Sequence, residues 1–179
     1  IDDHGDKVVI GNSTPRYQYS FRVGADWKGF DLSLFFQGVG KCDMWGSSSL
    51  TLAGFNTGDG AIAKRFSTDY WREDRTDAFY PRAVNMGNGT NSFNMCYSDR
   101  YLLNMAYLRL KNITVGYTLP QYLTKKALIS NLRIYIQCDN LLTFSKYRGY
   151  DPEVGSRSGL DSGSYPQARV FTLGASVSF

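Results

Sequence analysis

Residues 107–120 read YLRLKNITVGYTLP, and their second half alternates strictly between apolar and polar side chains. The apolar set is Ile113, Val115, Tyr117 and Leu119, and the polar set is Asn112, Thr114, Gly116 and Thr118. Since successive side chains of a strand point to opposite faces of a sheet, this pattern predicts a strand with one apolar and one polar face. Leu108 and Leu110 are out of phase with it, so we predict a β-bulge near Lys111 and Asn112.

The same alternation recurs outward along the chain in both directions. It predicts an all-β fold of about five strands. Their approximate ranges are 16–27, 29–38, 101–119, 131–142 and 169–179. Lys28 and Gly29 form a tight turn between the first two strands. Pro120 ends the third strand, and the residues from there to Ser130 are expected to form a short helical turn.

The connections between these strands alternate in length. Two short turns contrast with two long polar segments, at about 39–100 and 143–168. Long connections without periodicity are rare inside compact soluble domains, whereas outer-membrane barrels carry long loops outside and short turns on the periplasmic side. The predicted strands also approach the roughly 9–11 residues that a tilted strand needs to cross a bilayer.

Composition excludes several other classes of protein. The net charge of +4 is scattered among acidic residues, which argues against a nucleic-acid partner. No apolar run approaches the roughly 20 residues of a spanning helix. The three cysteines, Cys42, Cys96 and Cys138, lack the short paired spacing of a zinc site, and we predict no metal and no cofactor. Cys42 and Cys96 fall in the same predicted loop and can pair, whereas Cys138 has the parity of the apolar face.

Aromatic residues mark the predicted strand ends. Trp27 and Phe30 flank the first turn, Tyr117 precedes the second, and Phe179 ends the chain. In a barrel these four side chains would form part of the periplasmic aromatic girdle, and Phe179 would complete a C-terminal assembly signal. In a soluble sheet they would be core residues near strand ends, and the alternation alone is compatible with that interpretation.

Seven segments also resemble a known family. They are VVIGNSTPRYQYSF (8–21), WKGFDLSLFFQG (27–38), STDYWRED (67–74), FYPR (79–82), YLRLKNITVGYTLP (107–120), NLLTFSKYRGYDPE (140–153) and YPQARVFTLGASVSF (165–179). In this order they resemble the C-terminal part of the SusC-like, RagA-type TonB-dependent outer-membrane transporters of Bacteroidetes. The resemblance covers nearly the whole chain.

The resemblance implies the last strands of a 22-stranded transmembrane antiparallel β-barrel. It also implies a SusD-like surface lipoprotein as partner, the TonB–ExbB–ExbD complex as energy source, and a glycan or peptide as cargo. We see neither a plug domain nor a TonB box in this chain. Five open strands would leave two unpaired edges, so the rest of the same barrel, surrounded by outer-membrane lipid, is expected to complete them.

The long loop contains candidate contact residues, Tyr70, Trp71, Phe79 and Tyr80. Their rings can stack on sugars or pack against the lipoprotein, but they can equally anchor the loop to itself. No pair of carboxylates suits a glycosidase, so we predict no catalytic residues and no enzyme activity. The alternatives to transport are a soluble carbohydrate-binding β-sandwich and a small stand-alone outer-membrane barrel.

Overall fold

The computed structural model describes residues 8–46, 64–82, 97–154 and 165–179. Within these ranges the chain is mostly antiparallel strand. The strands are β1 (Tyr17–Trp27), β2 (Phe30–Gly40), β3 (Asp43–Trp45), β4 (Leu102–Asn104), β5 (Tyr107–Thr118), β6 (Asn131–Ser145) and β7 (Val170–Ser178). The short helices are α1 (Lys64–Thr68) and α2 (Gln121–Thr124), and 3₁₀ turns span Asp99–Tyr101 and Lys125–Ala127. Among the described residues, no helix has the length and apolar character needed to cross a membrane.

The chain divides into two compact units. One comprises residues 16–40, 106–146 and 167–179 and forms a five-stranded sheet in the order β1-β2-β5-β6-β7, with every neighbouring pair antiparallel. The other comprises residues 1–15, 41–105 and 147–166, and contains the two-stranded sheet of β3 and β4. Its buried side chains include Cys42, Met44, Tyr80, Tyr101 and Met105.

The register of the large sheet gathers apolar side chains on one face. Directly paired residues share a face, so Val23, Leu34, Ile113 and Cys138 form one apolar row across four strands. Beside it runs a row of Leu32, Val115, Ile136 and Leu173. Ile136 is 60% exposed and Leu173 is 74% exposed. A contiguous apolar surface of this extent is unusual on a soluble monomer.

Polar side chains fill most of the opposite face of the sheet. Asp31 on β2 and Arg133 on β6 form a two-pronged ion pair, with Arg133 Nε 2.8 Å from Asp31 Oδ1 and Nη2 2.5 Å from Oδ2. The pair passes over β5 at Gly116, which lies opposite Asp31. A Cβ at position 116 would lie 2.3 Å from Asp31 Oδ1. The missing side chain of Gly116 therefore leaves the space in which the ion pair forms.

A bulge lies where the change of phase predicted it. Phe35 pairs with Asn112 and Phe36 with Leu110, so Lys111 is the extra residue of β5 at this point. The pairing of β5 with β6 shifts at the same place, between Leu110 and Asn112. These shifts return Leu108 and Leu110 to the apolar face that Ile113 occupies, because one extra residue exchanges the two faces of a strand.

Three of the predicted strand boundaries were wrong. The strand expected from about residue 101 begins at Tyr107, because Leu102–Asn104 pairs instead with Asp43–Trp45 in the small sheet. The second strand continues past Gly38 to Gly40, where Tyr17 and Tyr19 of β1 cover the two glycines. The fourth strand extends beyond residue 142 to Ser145, because Phe144 and Ser145 still pair with Leu108 and Tyr107 of β5. The helical turn predicted after Pro120 is confirmed by α2 and the 3₁₀ turn that follows it.

Replacing Gly116 with Ala is expected to lower the free energy of unfolding by about 1–3 kcal/mol, because the added methyl group displaces the Asp31–Arg133 pair. Gly24→Ala is the matched control, since its Cβ would meet only the Leu32 carbonyl oxygen, at 3.6 Å. Guanidinium unfolding followed by tryptophan fluorescence measures the difference. Equal midpoints for the two variants would contradict this account of Gly116.

Candidate functional site

The four candidate residues of the long loop lie in a closed segment that follows α1. Tyr70 and Tyr80 form an isolated parallel β-bridge. The Tyr80 amide donates to the Asp69 carbonyl over 3.1 Å, and the Trp71 amide donates to the Tyr80 carbonyl over 2.9 Å. The structure thus brings Tyr70, Trp71 and Tyr80 together, with Phe79 adjacent in sequence.

Arg75 ties the turn of this segment to its base. The backbones of Arg72 and Arg75 exchange hydrogen bonds of 3.2 and 3.0 Å, which close the turn. The Arg75 guanidinium donates to the Thr68 carbonyl and to Asp69 Oδ1, each over 2.7 Å. A guanidinium with two fixed acceptors holds a loop base more firmly than an exposed ion pair does.

Phe79 and Tyr80 anchor the segment within its own unit. Tyr80 is 4% exposed, and the Phe79 ring meets the rings of Tyr80 and Tyr101 edge-on at centroid distances of 4.9 and 6.0 Å. Arg100 Nε donates to the Phe79 carbonyl over 2.9 Å, and its guanidinium lies 5.0 Å from the Phe79 ring centroid. Burial raises the pKa of the Tyr101 hydroxyl. The anchoring interpretation therefore fits Phe79 and Tyr80.

Tyr70 and Trp71 are only partly buried, and with three charged neighbours they line an open cavity of about 310 Å³. The neighbours are Arg72, Glu73 and Arg82. The Arg72 guanidinium lies 5.3 Å from the Tyr70 ring centroid. Aromatic faces stack on sugar rings, and guanidinium groups bind carboxylates, so this cavity has the chemistry for a saccharide or a peptide. The sequence pattern alone did not indicate Arg72 and Arg82 as site residues, although they lie within the segments 67–74 and 79–82.

The aromatic residues at the strand ends also lie together. Trp27 pairs with Phe30 across the first turn, and the Phe30 and Tyr117 rings are 4.5 Å apart. Phe179 follows β7, which ends opposite the start of β6, and is 89% exposed. All four residues therefore lie at one end of the large sheet. Lys28 adds a cation 5.0 Å from the Trp27 ring centroid.

The two described cysteines are both buried. Cys42 Sγ donates to the Ser13 carbonyl over 3.2 Å. Burial, and secondarily the neighbouring Asp43 carboxylate, raise the pKa of this thiol. The predicted pairing of Cys42 with Cys96 involves a residue outside the described ranges. Cys138 lies in the apolar row between Ile113 and Phe171. Within the described ranges, no group of His, Cys, Asp and Glu side chains could hold a metal ion.

Comparison with known proteins identifies relatives of nearly the whole chain. It is 32% identical over 185 residues to TonB-dependent receptor P3 of Formosa agariphila, a match that covers 97% of this chain and 17% of the relative. It is 42% identical over 84 residues to TonB-dependent receptor SusC of Bacteroides thetaiotaomicron, covering 46% of this chain and 8% of SusC. No protein-family model matches the sequence.

Comparison with solved structures also finds a similar transporter. The chain superposes on the RagAB peptide transporter with a TM-score of 0.74 and 27% identity, covering 96% of this chain and 18% of that one. The match with the closed-closed state of the RagAB importer gives a TM-score of 0.73.

The antiparallel sheet and the relatives of the chain together show that it belongs to the TonB-dependent receptors. Within this class the chain is similar to SusC and to the RagAB transporter. It spans less than a fifth of the length of the relatives that it matches, at 17% and 18%.

Replacing Arg75 with Gln is expected to accelerate hydrogen exchange at the Trp71 and Tyr80 amides about tenfold, because the base of the loop loses its fixed guanidinium. Arg72→Gln is the matched control, since the Arg72–Asp74 ion pair is exposed and exposed pairs contribute little. Exchange measured by mass spectrometry should change less than threefold in this control. Equal acceleration in both variants would refute the proposed role of Arg75.

Proposed function

We propose that this chain forms the C-terminal strands of the β-barrel of an outer-membrane, TonB-dependent importer of oligosaccharides or peptides. The exposed apolar face of the five-stranded sheet carries the proposal. In a barrel this face would contact lipid, and the polar face would line the interior. Strand length supports the same interpretation, since β1 and β2 have 11 residues each and β5 has 12.

The two outer strands of the sheet require neighbours. Within the described residues, β1 and β7 each pair with a single strand, and an unpaired backbone group in hydrocarbon costs several kcal/mol. The remaining strands of a 22-stranded barrel would satisfy both edges. The described residues offer instead one further sheet, of two three-residue strands, which is too small to be the second layer of a β-sandwich.

The relatives suggest the cargo and the partners. RagAB is described as a peptide importer, and SusC as a TonB-dependent receptor. By analogy, this protein would act with a SusD-like surface lipoprotein and the TonB–ExbB–ExbD complex. The long loops would lie outside the cell, and the aromatic end of the sheet would form the periplasmic girdle. Tyr70 and Trp71 would then contact cargo or lipoprotein from the extracellular side.

Arginine substitutions on β7 are expected to have different effects on the two faces of the sheet. Leu173→Arg places a cation on the lipid face near the middle of the strand and is expected to cost about 2–4 kcal/mol. Thr172→Arg is the control, since Thr172 is also exposed but has the opposite parity. The measurement is the amount of folded, heat-modifiable receptor in the outer membrane. Equal loss for both variants would exclude a lipid-facing role for Leu173.

Tyr70→Ala combined with Trp71→Ala removes both aromatic side chains that line the cavity. This double variant is expected to bind cargo or lipoprotein about 10- to 100-fold more weakly. Growth on the imported nutrient measures the effect on cargo uptake, and titration with the purified lipoprotein measures the effect on lipoprotein affinity. Tyr165→Ala, which removes an exposed aromatic ring that does not line this cavity, is the control. Unchanged uptake and unchanged lipoprotein affinity would reject this site, while leaving the barrel assignment intact.

A further inference from the structure

The connection between β5 and β6 exposes apolar side chains that lie outside the paired strands of the large sheet. It spans residues 119–130, LPQYLTKKALIS. Tyr122 is 74% exposed, Leu123 is 56% exposed and Leu128 is 84% exposed. A connection of this length can satisfy its backbone with polar residues alone, so three large exposed apolar groups in one short turn indicate a contact surface.

The turn holds these side chains outward by its own hydrogen bonds. The Leu123 amide donates to the Pro120 carbonyl over 3.0 Å, and the Leu128 amide donates to the Lys125 carbonyl over 3.2 Å. The Ser130 amide ties the end of the turn to the Ser178 carbonyl over 2.8 Å. Leu128 has a φ of 58°, in the left-handed region that branched apolar residues rarely adopt. Its exposure is therefore built into the turn.

Two cations accompany the apolar groups. Lys125 and Lys126 occupy the 3₁₀ turn, both are exposed, and residues 119–130 contain no acidic residue. Apolar side chains beside lysines are typical of segments that lie at a membrane surface, where the alkyl part enters the lipid and the ammonium group meets a headgroup. Tyr117 and Ile134, close to the two ends of the connection, lie on the apolar face of the sheet.

We propose that this connection is a membrane-surface anchor that binds anionic phospholipid. Leu123 and Leu128 insert at headgroup depth, and Lys125 and Lys126 bind the phosphate of the lipid. The inference rests on the proposed barrel function, because it needs the apolar face of the sheet to contact lipid. Charge favours lipid over another occupant, since two cations without a nearby acid in the turn complement an anionic headgroup.

Native mass spectrometry of the full-length receptor with phosphatidylglycerol and phosphatidylcholine tests the two cations. Lys125→Gln with Lys126→Gln is expected to lower the preference for phosphatidylglycerol about fivefold per lysine, equivalent to about 1 kcal/mol each. Lys64→Gln, a change of an exposed lysine outside the sheet unit, is expected to leave the preference unchanged. An unchanged preference in the double variant would overturn the proposal.

A photocrosslinking residue at position 128 of the same receptor tests the apolar part. Crosslinks to lipid acyl chains are expected, whereas crosslinks confined to protein would show that another part of the receptor or a partner covers this turn. Leu128→Asn keeps the left-handed backbone while removing the apolar group, and is expected to reduce membrane-dependent protection of the turn in hydrogen exchange. A receptor that inserts normally but crosslinks only to protein rejects the anchor alone; one that fails to associate with membranes rejects the barrel function as well.

Discussion

Backbone pairing across β5 sets the face that every side chain in the large sheet occupies. Because side chains alternate with a period of two, a slip by one residue would exchange the apolar and polar faces. The shifts around Lys111 are such steps, placed so that Leu108 and Ile113 share one face although their sequence positions differ in parity. The continuous apolar surface, and with it the proposed lipid contact, depends on this register.

Small residues let long side chains reach across neighbouring strands. Gly116 makes room for the Asp31–Arg133 pair, and Gly174 lies beneath the ring of Tyr135, which a Cβ there would approach to 2.3 Å. Arg133 also lies 4.9 Å from the Tyr135 ring centroid. One end of the polar face is thus bound together across β2, β6 and β7 by charge and ring contacts. Ring stacking adds to the aliphatic cross-strand contacts of the apolar face, as between Phe21 and Phe36, whose ring centroids are 4.8 Å apart.

The sequence predicted the large sheet well, because alternation is a local property of the chain. The bulge at Lys111 could also be predicted, since the alternation of apolar and polar residues changes phase within one strand. The sequence could not predict that Leu102–Asn104 leaves the large sheet, because its partner Asp43–Trp45 is distant in the chain. Nor does a local pattern reveal the Asp31–Arg133 pair, or that Arg75 and Arg100 fix the loop containing Tyr70 and Phe79. The local sequence also does not distinguish Phe79 and Tyr80, which anchor the loop, from Tyr70 and Trp71, which line the open cavity.

Site-directed spin labelling along β7, in the receptor reconstituted into lipid vesicles, tests directly whether the apolar face of the large sheet contacts lipid. Labels at successive positions from 170 to 178 would be read for collisions with oxygen, which partitions into lipid, and with a water-soluble nickel complex. If the apolar face contacts lipid, accessibility should alternate with a period of two, with oxygen favoured at positions 171, 173, 175 and 177 and nickel favoured at the positions between. Uniform access to the nickel complex along the strand would contradict a lipid-facing sheet.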